Sequence, residues 1–286
     1  MTGAAIALVL LSALLHATWN FLNKGSSDRW AFFVAQGVLT CVAYVPFVVW
    51  QWPQAGIAPI GWLWIIASAV THAAYAVFLL KSYDAGDLSV AYPLSRTAPV
   101  LVAGWDVATA RSQLTAGGVA GVVLAGIGAV MLQLPALRAR GVGAVLRAPV
   151  TRYALMTAVF IAMFTICDKQ GVADVPAFVY LYLLCLGEFS LILTGLGRTA
   201  PGRATRELRG NTRAVLFTGL VGPLSYLLIL LVLETAPASY VLGLRQTSIV
   251  FGVILGHIFL GEGETRYRLA GAAIITLGSL LIVAAG

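Results

Sequence analysis

Apolar runs of about 17 to 25 residues, separated by short polar connections, recur along the whole 286-residue chain. A hydrocarbon core about 30 Å thick calls for about 20 residues of helix. The pattern therefore predicts ten membrane-spanning helices, at roughly 3–23, 30–50, 60–82, 88–107, 114–134, 152–171, 175–196, 214–234, 238–260 and 268–285. The segment that starts at Met1 has no Lys or Arg before its apolar run and reads as the first span, not as a leader.

The ten runs fall into two sets of five. An offset of 150 residues places Gly121 on Gly271 and Gly128 on Gly278, and sets Leu88-Ser89-Val90-Ala91 against Ala238-Ser239-Tyr240-Val241. An offset of 145 sets Asn23-Lys24 against Asp168-Lys169. An odd number of spans per half turns the second half upside down relative to the first. The expected fold class is an all-α polytopic membrane protein of ten helices in two inverted five-helix repeats. Residues 1–136 form the first repeat, 137–150 a basic linker and 151–286 the second repeat, within one integral membrane domain. Inverted repeats of this kind place a transport site near the midplane, at the repeat interface. The glycine pairs of the fifth and tenth spans, seven residues apart, lie on one helix face and allow close helix approach, within a monomer or across a homodimer.

Composition agrees with the pattern. Hydrophobic residues make up 60 %, charged residues 10 %, and mean hydropathy is +0.92, whereas about a quarter of a soluble protein is charged. The net charge of +7 is a matter of topology. Fourteen of the 18 Lys and Arg lie in connections after odd-numbered spans, a bias that puts those connections in the cytoplasm and both termini outside. Because the arginines are scattered over several short loops, a nucleic-acid partner is not expected; the partners are the lipid bilayer and a small-molecule substrate. Three Lys against fifteen Arg, in a chain rich in Ala, Gly and Val, point to a GC-rich genome and a bacterial plasma membrane. Cys41, Cys167 and Cys185 fall inside spans with no metal or redox spacing, and His16, His72 and His257 sit in three different spans. No metal, cofactor or catalytic motif is expected, and an intramembrane enzyme is disfavoured.

The sharpest chemical signal is Arg96 and Arg245, each near the middle of an apolar run. A guanidinium is costly at that depth and keeps its proton, so it needs a partner or a task. Pro93 and Pro99 flank Arg96 and predict a break in the fourth span. With Tyr92 and Ser95, Arg96 could bind an anionic group; a structural ion pair with Glu188 or Asp106 is the alternative. Arg245 and Gln246, with Tyr240 upstream, occupy the matching stretch of the ninth span, where bonding to backbone carbonyls is the alternative. Paired guanidiniums suit a carboxylate or phosphate. Glu188 is an acid well inside a span, and serves as counter-ion or proton carrier. His16, Asn20 and Lys24 recur every four residues, with Trp19 beside them, in one polar stripe of the first span. His72, Tyr75 and Tyr226 fall on plausible cavity faces, of Tyr180 and Tyr182 at most one can reach substrate, and Lys24 and Lys169 are gating candidates near span ends.

Ten helices in two inverted halves, His16-Ala17-Thr18-Trp19-Asn20 with Lys24 in the first, and Leu260-Gly261-Glu262 before a glycine-bearing last helix resemble the EamA-type drug/metabolite transporters. The resemblance covers essentially the whole chain. It implies a secondary transporter working by alternating access. Its cavity would be lined by spans 1, 3, 4, 6, 8 and 9, with spans 2 and 7 as gates and 5 and 10 as scaffold. It also implies cytoplasmic termini, opposite to the charge bias. Joined to the arginine pair, it implies a small anionic or zwitterionic metabolite, amino acid-like or an organic acid, as substrate. An organic-cation or drug carrier, and a non-transporting assembly or lipid-translocating accessory protein, are the alternatives.

Overall fold

The computed structural model describes residues 3–108, 115–132, 134–197, 200–236, 238–261 and 265–285. Its helices, in chain order, are α1 (Gly3–Gly25), α2 (Arg29–Ala43), α3 (Val45–Ala55), α4 (Pro59–Ala85), α5 (Leu88–Ser95), α6 (Ala98–Ala108), α7 (Ala116–Leu132), α8 (Leu134–Arg140), α9 (Val142–Arg147), α10 (Pro149–Asp174), α11 (Ala177–Leu196), α12 (Ala200–Gly210), α13 (Thr212–Thr235), α14 (Ala238–Arg245), α15 (Ser248–Leu260) and α16 (Thr265–Ala285). No strand occurs among the described residues.

Among the described residues, six stretches are long and apolar enough to cross a membrane, or up to eight when each sharply bent helix pair counts as one span. Among the described residues the predicted runs are largely helical, but several are not single rods. The second is α2 and α3, bent by 57° at Tyr44, where Pro46 opens the new helix. The fourth and ninth are interrupted within their length. Two connections expected to be plain linkers are helical as well. Residues 137–150 carry α8 and α9, and the basic stretch after α11 folds as α12.

The glycine seam packs within the chain. A Cβ on Gly128 would lie 2.7 Å from the Gly271 carbonyl oxygen, and one on Gly278 would lie 2.6 Å from that of Gly121. No other side chain fits, so α7 and α16 meet backbone to backbone. Elsewhere the halves join through aromatic packing, as where Phe78 of α4 stacks on Phe160 of α10 at 5.5 Å. Ser12 Oγ of α1 donates to the Ser225 carbonyl of α13 at 2.6 Å, and Thr40 Oγ1 of α2 to that of Gly219 at 2.7 Å. Hydroxyls donating to carbonyls across helices hold a bundle together where lipid supplies no hydrophobic drive.

Charged side chains tie several helices together. Arg203 of α12 grips Asp28, the N-cap of α2, with two bonds of 2.8 Å. This holds the Asp28 carboxyl below its usual range. Arg268 of α16 reaches Asp87 at 2.8 Å, Arg29 reaches Asp84 at 2.6 Å, and Ser26 Oγ donates to the buried Glu207 of α12 at 2.6 Å. Two of the three ion pairs, Arg203–Asp28 and Arg268–Asp87, tie the second half to the first.

Candidate functional site

The two interruptions are built alike. After α5, Arg96 N donates to the Pro93 carbonyl, Thr97 N and Thr97 Oγ1 both to that of Leu94, and Val100 N to that of Thr97. After α14, Gln246 N donates to the Gly243 carbonyl, Thr247 N and Thr247 Oγ1 both to that of Leu244, and Val250 N to that of Thr247. Each bond in one set has its counterpart 150 residues away in the other. A tight turn of three-residue bonds replaces helical ones, and each turn delivers one arginine. Pro93 and Pro99 explain the first. The second contains no proline, and the sequence reading left that span continuous.

Arg96 and Arg245 are 2 % and 4 % exposed, and both border one cavity of about 100 Å³ between the halves. Arg96 lies over the Tyr92 ring at 4.9 Å and Arg245 over the Tyr226 ring at 5.2 Å, where the ring faces attract the cations. Arg96 Nη2 is hydrogen-bonded to His16 Nε2. Because a guanidinium only donates, His16 accepts there and is neutral, with its proton on Nδ1. The proposed ion pair with Glu188 does not form: neither arginine has a carboxylate within 4.0 Å among the described residues. The Asp106 side chain lies outside the described ones. Each arginine keeps a buried Nε with no hydrogen-bond partner. Two cations thus face one space with donors to spare.

Of the residues singled out from sequence, His16, Trp19, His72, Tyr75, Arg96, Glu188, Tyr226 and Arg245 line this cavity. Others stand behind it. Asn20 Oδ1 receives the Tyr83 hydroxyl, Ser95 Oγ donates to the Tyr92 carbonyl, and the buried Tyr92 hydroxyl has no partner. Gln246 Nε2 donates to the Leu242 carbonyl. The Tyr240 side chain lies outside the described ones. Lys24 Nζ donates to the carbonyls of Tyr83 and Gly86 at the end of α4, and Lys169 Nζ to those of Leu233 and Ala236 at the end of α13. Both lysines satisfy the open carbonyls of a helix C-terminus, again in matching positions.

This duplicated build is also what the comparisons find. The model of the EamA-like transporter family matches residues 3–134 and 151–284. The chain belongs to the EamA-like transporter family. As such it is a membrane transporter of small molecules, from a family of transporters and not of enzymes. No curated protein matches it. A solved structure described only as "Crystal structure of protein" is similar over 99 % of both chains, with a TM-score of 0.65 at 16 % identity, which shows a shared fold.

Two features of this EamA-like chain depart from the sequence reading. Gln36 and Thr40 of α2 and Leu181, Cys185, Glu188 and Phe189 of α11 line the cavity, so the second and seventh spans contribute walls. Gln36 is placed by the Trp19 indole, which donates to its Oε1 at 2.7 Å. Asp168, three residues from the end of the predicted sixth span, is fully buried. It accepts from the hydroxyls of Ser68, Tyr180 and Tyr226 and lies 3.2 Å from His72 Nε2. α10 runs on to Asp174, which sinks Asp168 more than a turn below the helix end. Of the two tyrosines weighed against each other, Tyr180 serves Asp168 and Tyr182 donates to the Cys41 carbonyl at 3.2 Å.

Proposed function

We propose that this EamA-like protein is a secondary transporter that moves a small anionic or zwitterionic metabolite by alternating access through the cavity between its halves. The observation that carries the reading is the pair of buried guanidiniums on one cavity, neither with a carboxylate beside it among the described residues and each with an unpartnered Nε. Buried charge without a partner is costly, and an anion entering the cavity offers both arginines charge-assisted bonds. Glu188 on the α11 wall is the counter-charge, for a substrate ammonium or for the arginines between cycles.

In this reading the ten predicted runs are ten spans in two inverted five-helix repeats, and α7 with α16 is the scaffold. The protein works in a bacterial plasma membrane, as a monomer or homodimer. The end bearing α12 and the inter-half ion pairs faces the cytoplasm, in line with the charge bias. Proteoliposome counterflow with radiolabelled amino acids, organic acids, phosphorylated metabolites and quaternary amines tests it. Exchange of a carboxylate or phosphate compound, absent in Arg96→Ala and Arg245→Ala, is expected. Exchange of amines alone would overturn the anion reading in favour of a cation carrier held by Trp19 and Glu188. No exchange of any class would favour an accessory protein.

A further inference from the structure

We infer that Asp168 and His72 form a proton-binding site reached from the cavity, and that it couples the transport proposed above to the proton gradient. The coupling part rests on the transporter reading; the site itself does not. Asp168 is 0 % exposed and is not itself part of the cavity wall. One carboxylate oxygen takes the hydroxyls of Ser68 and Tyr180, and the other takes the Tyr226 hydroxyl and faces His72 Nε2 at 3.2 Å. Three hydroxyls solvate the charge without cancelling it. Of the groups that touch Asp168, only the imidazole can supply a positive charge, and it does so by taking up a proton.

His72 is also the access route. It belongs to the cavity wall, and its ring is clamped on Phe164 of α10 at 3.9 Å. A proton from cavity water reaches the imidazole from one side while the carboxylate holds the other. The ionisable groups facing the pair are Glu188 and Tyr180 from α11, Tyr226 from α13 and Tyr75 from α4 itself. The thiols of Cys167 and Cys185 lie close to Asp168. Arg245 is linked to the pair through the Tyr226 ring. The two halves differ here. The residue matching Asp168 is Asn23, neutral, with its Nδ2 donating to the Arg29 carbonyl at 3.2 Å. One half carries the proton site and the other does not.

A proton on His72 adds positive charge to a cavity that already holds two arginines. Proton and anion therefore favour each other's binding, and by linkage the effect is reciprocal. The chain has three histidines, so the ring can be watched directly. The experiment uses ¹⁵N-histidine protein in nanodiscs, with His72→Gln assigning the resonance. Between about pH 8 and about pH 5, His72 of the wild type is expected to pass from one protonated ring nitrogen to two. In Asp168→Asn the ring should remain singly protonated at both. Ser68→Ala, a milder change, keeps the carboxylate and should keep the transition. A wild-type ring in the same state at both pH values would overturn the site, as would an unchanged transition in Asp168→Asn. The second arm asks whether an imposed pH gradient drives accumulation of the compounds that the counterflow panel identifies, with His72→Gln alongside. Counterflow without gradient-driven accumulation overturns the coupling and leaves the transporter reading intact. Absence of counterflow defeats the transporter reading, and the coupling with it, while the resonance still judges the site.

Discussion

The two arginine turns share one backbone and differ in everything that surrounds it. Each of the hydrogen bonds described at Arg96–Thr97 recurs at Gln246–Thr247. The first arginine rests on Tyr92 of its own helix and donates to His16 of α1; the second rests on Tyr226 of α13, whose hydroxyl is anchored on Asp168. The second turn is also braced from α16, where Thr276 Oγ1 donates to the Gln246 carbonyl at 3.2 Å. The matching position in the first half is Gly126, which has no hydroxyl to offer. Duplication thus supplied two matching turns, and divergence set one guanidinium against a neutral histidine and the other against a tyrosine anchored on a buried acid. Two arginines at adjacent aligned positions, not the same one, bring both to a single cavity.

This contrast can be broken at its foundation or probed one atom at a time. The largest effect is expected at the seam that supports both turns. In Gly128→Val the added side chain meets the Gly271 backbone, and overpacking there should cost about 3 kcal/mol, seen as a lower unfolding temperature in detergent and loss of all transport. Next comes a matched pair of hydroxyl deletions. Tyr226→Phe keeps the ring under Arg245 but removes a buried bond to a charged acceptor, an expected loss of about 2 kcal/mol. Tyr92→Phe removes a buried hydroxyl that has no partner and should be neutral or slightly stabilising. Equal losses in the two variants would show that the halves are supported alike. Away from the cavity, Asp28→Asn should change little at neutral pH, since a half-exposed ion pair contributes less than about 1 kcal/mol. Its signature is in the pH profile. Folding holds the Asp28 carboxyl below its usual range, so the contribution is present above about pH 4 and fades as pH falls through the folded value. Wild type and Asp28→Asn should converge in acid and separate above it.

Much of this was legible in the chain. The apolar runs and the offset of 150 foretold an all-helical, duplicated chain, and the glycine pairs foretold close helix approach without saying which helices meet, because each depends on local composition or on spacing along one helix. The prolines around Arg96 gave away the first turn. The second was hidden because Leu244, Arg245, Gln246 and Thr247 carry no breaker; there the tertiary setting and the Thr247 hydroxyl hold a turn that local propensity does not demand. Asp168 is three residues from the predicted end of its span, where a charge reads as interfacial, and only the packing of Ser68, Tyr180 and Tyr226 around it shows otherwise. Gln36 lies in an otherwise apolar run, and its place on the cavity comes from Trp19, seventeen residues away. Contacts between distant helices leave no periodic trace in the sequence.

The central claim is that two guanidiniums from opposite halves hold one anion. It is tested most directly by thermal stabilisation of the purified protein by carboxylate and phosphate compounds, comparing wild type with Arg96→Ala and Arg245→Ala. A ligand stabilises only the state it binds, by RT ln(1 + [L]/Kd). The account predicts that a compound which raises the unfolding temperature of the wild type does so in neither variant. Stabilisation that survives the loss of either arginine, or that amines alone produce, would contradict it.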